Sequence, residues 1–153
     1  MTTPEQRLTA AGIELPPPPR PVGSYVTFVR SGNLVFTSGH GPTTADGRLV
    51  TGRLGADLDV DAGAEAARLV GLNLLATLRA ELGSLDRVRR IVKVLGMVQC
   101  TPEFTQHPAV VNGCSNLFVE VFGDAGRHAR SAVGMSALPS GMAVEIELVA
   151  EVD

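Results

Sequence analysis

Aromatic residues are scarce in this 153-residue chain, which has no tryptophan, one tyrosine and five phenylalanines. Positive charge is limited too: 13 lysines and arginines stand against 16 acidic residues, giving a net charge of −3 and an isoelectric point near 5.6. Proteins that bind nucleic acid use basic surfaces and stacking aromatics. We therefore expect no nucleic-acid partner, and the same charge balance argues against binding to an anionic membrane.

Cysteine and histidine are also few, which limits metal and thiol chemistry. Cys100 and Cys114 are the only cysteines, and neither belongs to a CxxC pair or has a histidine at metal-ligand spacing. We expect two buried, reduced thiols and no metal; Cys114 stays a candidate only because it lies in a motif described below. His107 and His128 adjoin predicted helix or loop ends, where capping or solvated roles are usual. His40 follows a predicted strand and could line a site.

Long hydrophobic runs are missing. No apolar stretch approaches the roughly 20 residues that a membrane-spanning helix requires. The N-terminal sequence MTTPEQRLTAAG has neither a basic segment nor an apolar one, so it does not resemble a signal peptide. These absences predict a cytoplasmic protein with no membrane partner.

The composition is typical of one globular domain, with 44% apolar residues and a mean hydropathy of +0.19. Proline is concentrated near the start, in LPPPPRP at residues 15–21. Consecutive prolines hold an extended conformation and cannot enter a helix or a central strand. We interpret residues 1–22 as an arm on the surface or against a neighbour, and residues 23–153 as a single domain.

Apolar patterning predicts the elements of that domain. β-branched and aromatic residues on both sides of Ser31-Gly32-Asn33 predict a hairpin, with strands near 24–30 and 34–39. A short third strand is possible at 48–51. A leucine stripe with Asp61 before it and Gly83 after it predicts a helix over 61–82.

The second half continues with a strand, a helix and two strands. The run RIVKVLGMVQC at 90–100 predicts a buried strand, and Pro108 begins a helix that ends at Gly123. Strands follow at 129–135 and 143–152. The order β-β-(β)-α-β-α-β-β predicts an α+β sandwich with both helices on one face of a mixed sheet. The other face carries carboxylates, which suits water, a ligand or a second subunit.

Common catalytic motifs are missing: there is no Walker loop, no G-x-G-x-x-G after a strand, no H-E-x-x-H and no G-x-S-x-G. Polar residues within strands remain as candidates. Arg130 either pairs with Glu145 or Glu147, or grips the carboxylate of a ligand. Glu145 is either a solvated charge or a carboxylate that orients water. Tyr25 is either a packed aromatic or part of a site, and Asn112 most simply bonds nearby backbone.

Two segments resemble a known family. The C-terminal HARSAVGMSALPSGMAVEIELVAEV is similar to the A-R-S-x-V, L-P and V-E-I-E signature of the reactive-intermediate (imine) deaminases, the Rid or YjgF family. PVGSYVTFVRSGNLVFTSGHGP resembles the N-terminal hairpin of that family, with its G-x-Y and T-S-G. The helix carrying VVNGCS fits as well, so the resemblance covers about residues 22–152.

The resemblance implies a chorismate mutase-like fold and a homotrimer with ligand clefts between subunits. It also implies a site that uses no cofactor. Arg130 matches the arginine that binds the substrate carboxylate, and Glu145 matches the acid that positions water. The further matches are Tyr25 and the Ser38-Gly39 turn lining the cleft, the Ala132 N–H at the carboxylate, and Asn112 in a structural role.

The function implied by the resemblance is hydrolysis of 2-aminoacrylate and related 2-imino acids to 2-keto acids and ammonia. Two alternatives use the same chain: a non-catalytic sensor of small carboxylates, or the endoribonuclease of the family's older name, L-PSP. The sequence departs from characterised deaminases at His40, Gly41 and Gly134 and in its longer arm. These differences surround the predicted cleft, so the chain resembles a divergent subgroup of the family, and the sequence leaves the identity of the substrate open.

Overall fold

The computed structural model describes residues 1–153 and contains three α-helices and five strands. The helices are α1 (Pro4–Ala11), α2 (Val60–Leu82) and α3 (His107–Phe122). The strands are β1 (Phe28–Ser31), β2 (Leu34–Thr37), β3 (Val88–Gln99), β4 (Ala129–Met135) and β5 (Val144–Val152). The strands form one mixed sheet, and the α+β sandwich predicted from the sequence is confirmed.

The sheet has the order β1-β2-β5-β3-β4. All neighbours are antiparallel except β3 and β4, which run parallel and are connected through α3. Strand β5 therefore lies at the centre and β4 forms one edge. The edge position leaves half of the β4 backbone groups without a partner in this chain.

Helices α2 and α3 cover one face of the sheet and enclose the core. Alternation in β5 buries Val144, Ile146 and Leu148 on this side, while Glu145 and Glu147 point the opposite way. The leucine stripe of α2 is buried as predicted, and Gly83 ends the helix in the left-handed conformation.

The N-terminal segment, predicted as an arm on the surface or against a neighbour, contains a helix that the sequence analysis did not predict. Residues 4–11 form α1, which begins with a capping box between Thr3 and Gln6 and ends at the left-handed Gly12. Leu8 is buried in the main core. The Glu5 carboxylate accepts two hydrogen bonds from the Arg79 guanidinium of α2. The start of the chain is thus docked on its own domain.

Two strand predictions are wrong in detail. Residues 48–51 form isolated bridges to Thr43 and Met142 rather than a strand. The first strand begins at Phe28, not near residue 24, so Tyr25 lies in the irregular segment that precedes β1. No helix of the chain is long and apolar enough to cross a bilayer.

Candidate functional site

Four of the predicted site residues line one pocket. Tyr25, Ser38, Gly39 and His40 surround a cavity of about 230 Å³ beside the end of β2. Tyr25 is 45% exposed, and its hydroxyl accepts a 3.3 Å hydrogen bond from the Val22 N–H. That bond connects the aromatic ring to the end of the proline-rich segment, which also lines the pocket.

The Ser38 hydroxyl is buried and has no hydrogen-bond partner in the chain. A buried hydroxyl without a partner costs about 1–3 kcal/mol, so such groups are rare. Ser38 belongs to the pocket lining, so this unpartnered hydroxyl lies beside the pocket, beneath its surface.

The His40 ring is only 4% exposed and bonds within the chain through both nitrogens. Nδ1 lies 2.9 Å from the Ser38 carbonyl and Nε2 lies 2.8 Å from the Thr77 hydroxyl of α2. Since a carbonyl only accepts, Nδ1 carries the proton and Nε2 accepts from Thr77. Burial lowers the pKa of His40 and favours this neutral form. The ring therefore anchors the Ser38-Gly39 turn and has no nitrogen free for a ligand.

Glu145 lies against the same turn from the neighbouring strand β5. A Cβ at Gly39 would collide with the Glu145 carboxylate, so the close approach requires glycine there. The carboxylate forms no ion pair. Burial, together with the nearby negative charge of Glu147, raises the pKa of Glu145. A raised pKa makes this carboxylate a stronger proton acceptor than an ordinary glutamate.

Arg130 lies elsewhere, on edge strand β4, and is held by α3. Its Nη1 donates hydrogen bonds to Asn112 Oδ1 at 2.7 Å and to Ser115 Oγ at 3.1 Å. The structural alternative, an ion pair with Glu145 or Glu147, is wrong because Arg130 forms no salt bridge. Both bonds use Nη1, which leaves the Nε–Nη2 edge free. That edge is the one that binds a carboxylate through two parallel hydrogen bonds.

Ser115 and His128 extend the support of Arg130 and were not predicted as site residues. Ser115 Oγ lies 2.9 Å from His128 Nε2, and His128 Nδ1 lies 2.6 Å from the Gly126 carbonyl. Burial, and to a lesser extent the charge of Arg130, lowers the pKa of His128. A neutral imidazole next to the guanidinium adds no competing charge. The sequence signal was the N-G-C-S motif, in which Ser115 follows Asn112 by three residues.

The structure does not bring Arg130 and Glu145 together within one chain. Arg130 is in register with Val94 of β3, whereas Glu145 is in register with Met97, three residues further along. An odd offset places side chains on opposite faces of a sheet. Arg130 accordingly contacts α3, while Glu145 lies on the face without helices. The two residues are also about 10 Å apart across the sheet, because β3 lies between their strands, and about 10 Å apart along the strands, because their registers differ by three residues.

The remaining candidates have simple positions. Ala132 lies two residues after Arg130 on the same edge strand and packs partly against the core. Cys114 is fully buried, and burial raises the pKa of its thiol, so it has no access to a ligand. Cys100 and His107, for which the sequence predicted no contact, lie together, with Cys100 Sγ 3.4 Å from His107 Nε2. No group of three or more histidine, cysteine or acidic side chains is arranged to hold a metal.

Comparison with known proteins identifies the family of the chain. Residues 5–152 match the family model described as "YjgF/chorismate mutase-like, putative endoribonuclease". The chain is 44% identical to Protein TCP17 of Trypanosoma cruzi over 147 residues, covering 95% of this chain and 92% of that protein.

Solved structures show the same fold. Protein Atu1372 of unknown function from Agrobacterium tumefaciens is 43% identical with a TM-score of 0.89, covering 99% of this chain and 92% of its own. E. coli TdcF, crystallised with bound serine, is 26% identical with a TM-score of 0.64; the match covers 89% of this chain and 94% of the TdcF chain. The chain belongs to the YjgF/chorismate mutase-like family.

Proposed function

We propose that this protein hydrolyses small 2-imino acids, and their enamine tautomers, to 2-keto acids and ammonia. The observation that carries the proposal is the unpaired guanidinium of Arg130. A half-buried arginine with no acidic partner, held by Asn112 and Ser115, presents its free edge as a binding group for a carboxylate. The relative TdcF, with its bound serine, supports a small amino-acid-like ligand.

The chemistry needs few protein groups because an imine is already electrophilic. Arg130 fixes the carboxylate and so orients the imine carbon. Glu145, whose pKa is raised, accepts a proton from the attacking water. Water adds to the carbon–nitrogen double bond, ammonia leaves, and the 2-keto acid remains. Neither a metal nor a covalent intermediate is required for these steps.

The site is formed between two copies of the chain. Arg130 and Glu145 face opposite sides of one sheet, so one small molecule cannot touch both within a single chain. A neighbouring copy that places its Glu145 and its Tyr25 pocket opposite the β4 edge completes the cleft. A homotrimer, as the family resemblance implies, repeats this arrangement three times.

The experiment is a coupled assay. A serine/threonine dehydratase generates 2-aminoacrylate or 2-iminobutyrate, and semicarbazide traps the free imine. Wild-type protein is expected to suppress semicarbazone formation, whereas Arg130→Ala is not. Arg68→Ala is the matched control, because Arg68 lies on the outer helix surface in an ion pair with Glu120; it is expected to behave as wild type.

Other outcomes separate the alternatives. If wild type does not suppress the semicarbazone but binds 2-oxobutanoate through Arg130, the protein is a carboxylate sensor. The endoribonuclease named in the family description would require salt-sensitive RNA binding lost on neutralising Arg87, Arg89 and Arg90. Arg87 bonds to Asp153, and Arg89 and Arg90 share a surface depression with Asp124 and Glu151, so this basic run is partly neutralised.

A further inference from the structure

A second cavity, of about 430 Å³, lies where β3 ends and α3 begins. Its lining includes Arg53, Cys100, Phe104, His107, Gly134 and Met135. None of the residues assigned above to carboxylate binding or water activation takes part in it. The cavity combines a thiol, an imidazole and a guanidinium, and this combination has a chemistry of its own.

The thiol and the imidazole are in direct contact. Cys100 Sγ lies 3.4 Å from His107 Nε2, within hydrogen-bonding distance for sulfur. A thiol beside a histidine can transfer its proton to the ring and react as a thiolate, the arrangement common to nucleophilic cysteines. Cys100 as a residue is 7% exposed and belongs to the cavity lining, so it is sheltered but not sealed from the cavity.

Neighbouring residues hold Cys100 and His107 in contact with each other. A Cβ at Gly134 would lie 2.6 Å from His107 Nε2 and 2.8 Å from Cys100 Sγ, so only glycine on β4 leaves room for the pair. The Phe104 ring packs edge-on against the imidazole at 5.5 Å between centroids. The Cys100 N–H donates to the Met135 carbonyl, which fixes the backbone of the cysteine.

Arg53 adds a positive charge. Its Nη1 donates a 3.1 Å hydrogen bond to the Cys100 carbonyl. The guanidinium forms no salt bridge with any carboxylate of the chain. A cation without an acidic partner, in the lining of the same cavity as a thiol and its base, is suited to an anionic group on the molecule that the thiol attacks.

We propose that this cavity is a nucleophilic thiol site for small electrophilic carboxylates, such as α,β-unsaturated acids. Arg53 binds the carboxylate, His107 takes the thiol proton, and the Cys100 sulfur bonds to the β carbon. The carbon–carbon π bond breaks, and the proton returns from the imidazolium to the α carbon. No group leaves and no oxidant or reductant is needed. The site is independent of the imine chemistry proposed above.

The test uses two alkylating probes that differ in charge. Iodoacetate and iodoacetamide react alike with a thiol: the sulfur–carbon bond forms, iodide leaves and the proton passes to His107. Relative to free glutathione, Cys100 is expected to favour the anionic iodoacetate. Arg53→Gln is expected to lower the ratio of the iodoacetate rate to the iodoacetamide rate about tenfold, since one charge-assisted contact is lost.

The chain supplies its own control in Cys114. This thiol is fully buried and has no histidine beside it, so peptide mass spectrometry is expected to find label on Cys100 alone in folded protein. His107→Gln is expected to slow alkylation by both probes equally. Circular dichroism checks that each variant is folded.

Three results would overturn the proposal. One is labelling of Cys100 no faster than free glutathione with both probes. Another is a charge preference unchanged by Arg53→Gln in a folded variant. The third is equal labelling of Cys100 and Cys114, which would show that the reagents enter by general opening of the fold.

Discussion

At the scale of single residues, the absence of a counter-charge distinguishes Arg130 and Glu145. Arg130 is held by neutral oxygen atoms of α3, and Glu145 lies against a glycine backbone. Charged side chains that are partly buried usually have a partner. In the function proposed above, Arg130 and Glu145, which have opposite charges and no ion-pair partner, are the two halves of a site for a molecule that carries both a carboxylate and an electrophilic carbon.

Glu145→Gln is expected to lower imine turnover by about a hundredfold or more while leaving 2-oxobutanoate binding intact, because glutamine cannot accept the proton of water. The active form of Glu145 is the carboxylate. Since its pKa is raised above 4.5, turnover in the wild type should decline as pH falls toward that raised value. The rate–pH profile of the variant should lack this acidic limb. An unchanged rate would remove Glu145 from the mechanism.

The residues of the candidate site could be predicted from the sequence, but the face of the sheet on which each one lies could not. Arg130 and Glu145 follow from the motifs around them, whereas the face that each occupies depends on the pairing of β3 with two strands. A shift of one residue in that pairing would exchange the faces. The contact between Cys100 and His107 was also unpredictable, because it depends on the space that Gly134 leaves on a third element.

At the scale of elements, local patterns predict the long helices and strands well. The leucine stripe and Gly83 define α2 to within one residue, and the alternation of β5 is observed. Helix α1 was missed because it has eight residues and a single buried side chain, Leu8. Its capping box and Gly12 were the available signals. The prediction of a strand at 48–51 was wrong because only single bridges form there, between Leu49 and Thr43 and between Thr51 and Met142.

Docking of α1 should depend on pH through Glu5. Burial opposes the charged form, but hydrogen bonds from Arg79 and the Leu85 N–H outweigh it and lower the pKa of Glu5 below 4.5. A carboxyl whose pKa is lowered on folding stabilises the folded state at pH values above the pKa that it has in the unfolded state. This stabilisation is lost as the pH falls through the pKa of the folded state. Glu5→Gln should therefore reduce stability at neutral pH, and less so at about pH 3.

Urea denaturation at the two pH values measures this difference. Glu14, further along the same segment, has no ion pair, so Glu14→Gln serves as the control and should leave the midpoint unchanged. An equal effect of Glu5→Gln at both pH values would contradict the role of the ion pair.

At the scale of the whole molecule, the sheet has one face without helices. Three apolar side chains are exposed on this face: Val29 of β1, Phe36 of β2 and Val133 of β4. Val29 pairs with Phe36, Phe36 pairs with Val149 of the central strand β5, and Val133 pairs with Met97 of β3. An apolar face of this kind commonly marks contact with another chain. It adjoins Glu145, so a partner that covers it also approaches the proposed cleft.

Charge placed on this face should disperse the proposed trimer. Val133→Lys is expected to convert a trimer to monomers of 16.0 kDa with the fold preserved, because a lysine there cannot be buried against a second copy. Ala80→Lys is the control, since Ala80 is also exposed but lies on α2, on the opposite side of the sheet from Val133. Sedimentation velocity distinguishes the species. Monomeric wild-type protein at micromolar concentration would contradict the assembly.

The central claim is that one catalytic site takes Arg130 from one chain and Glu145 from another. Mixing Arg130→Ala with Glu145→Ala, after reversible dissociation, tests it most directly. Each variant alone is expected to be inactive in the imine assay, and the equimolar mixture should recover roughly one quarter of wild-type activity, since both residues are intact at that share of heterologous interfaces. A mixture as inactive as its components would show that the two residues do not act across subunits, and would contradict the account.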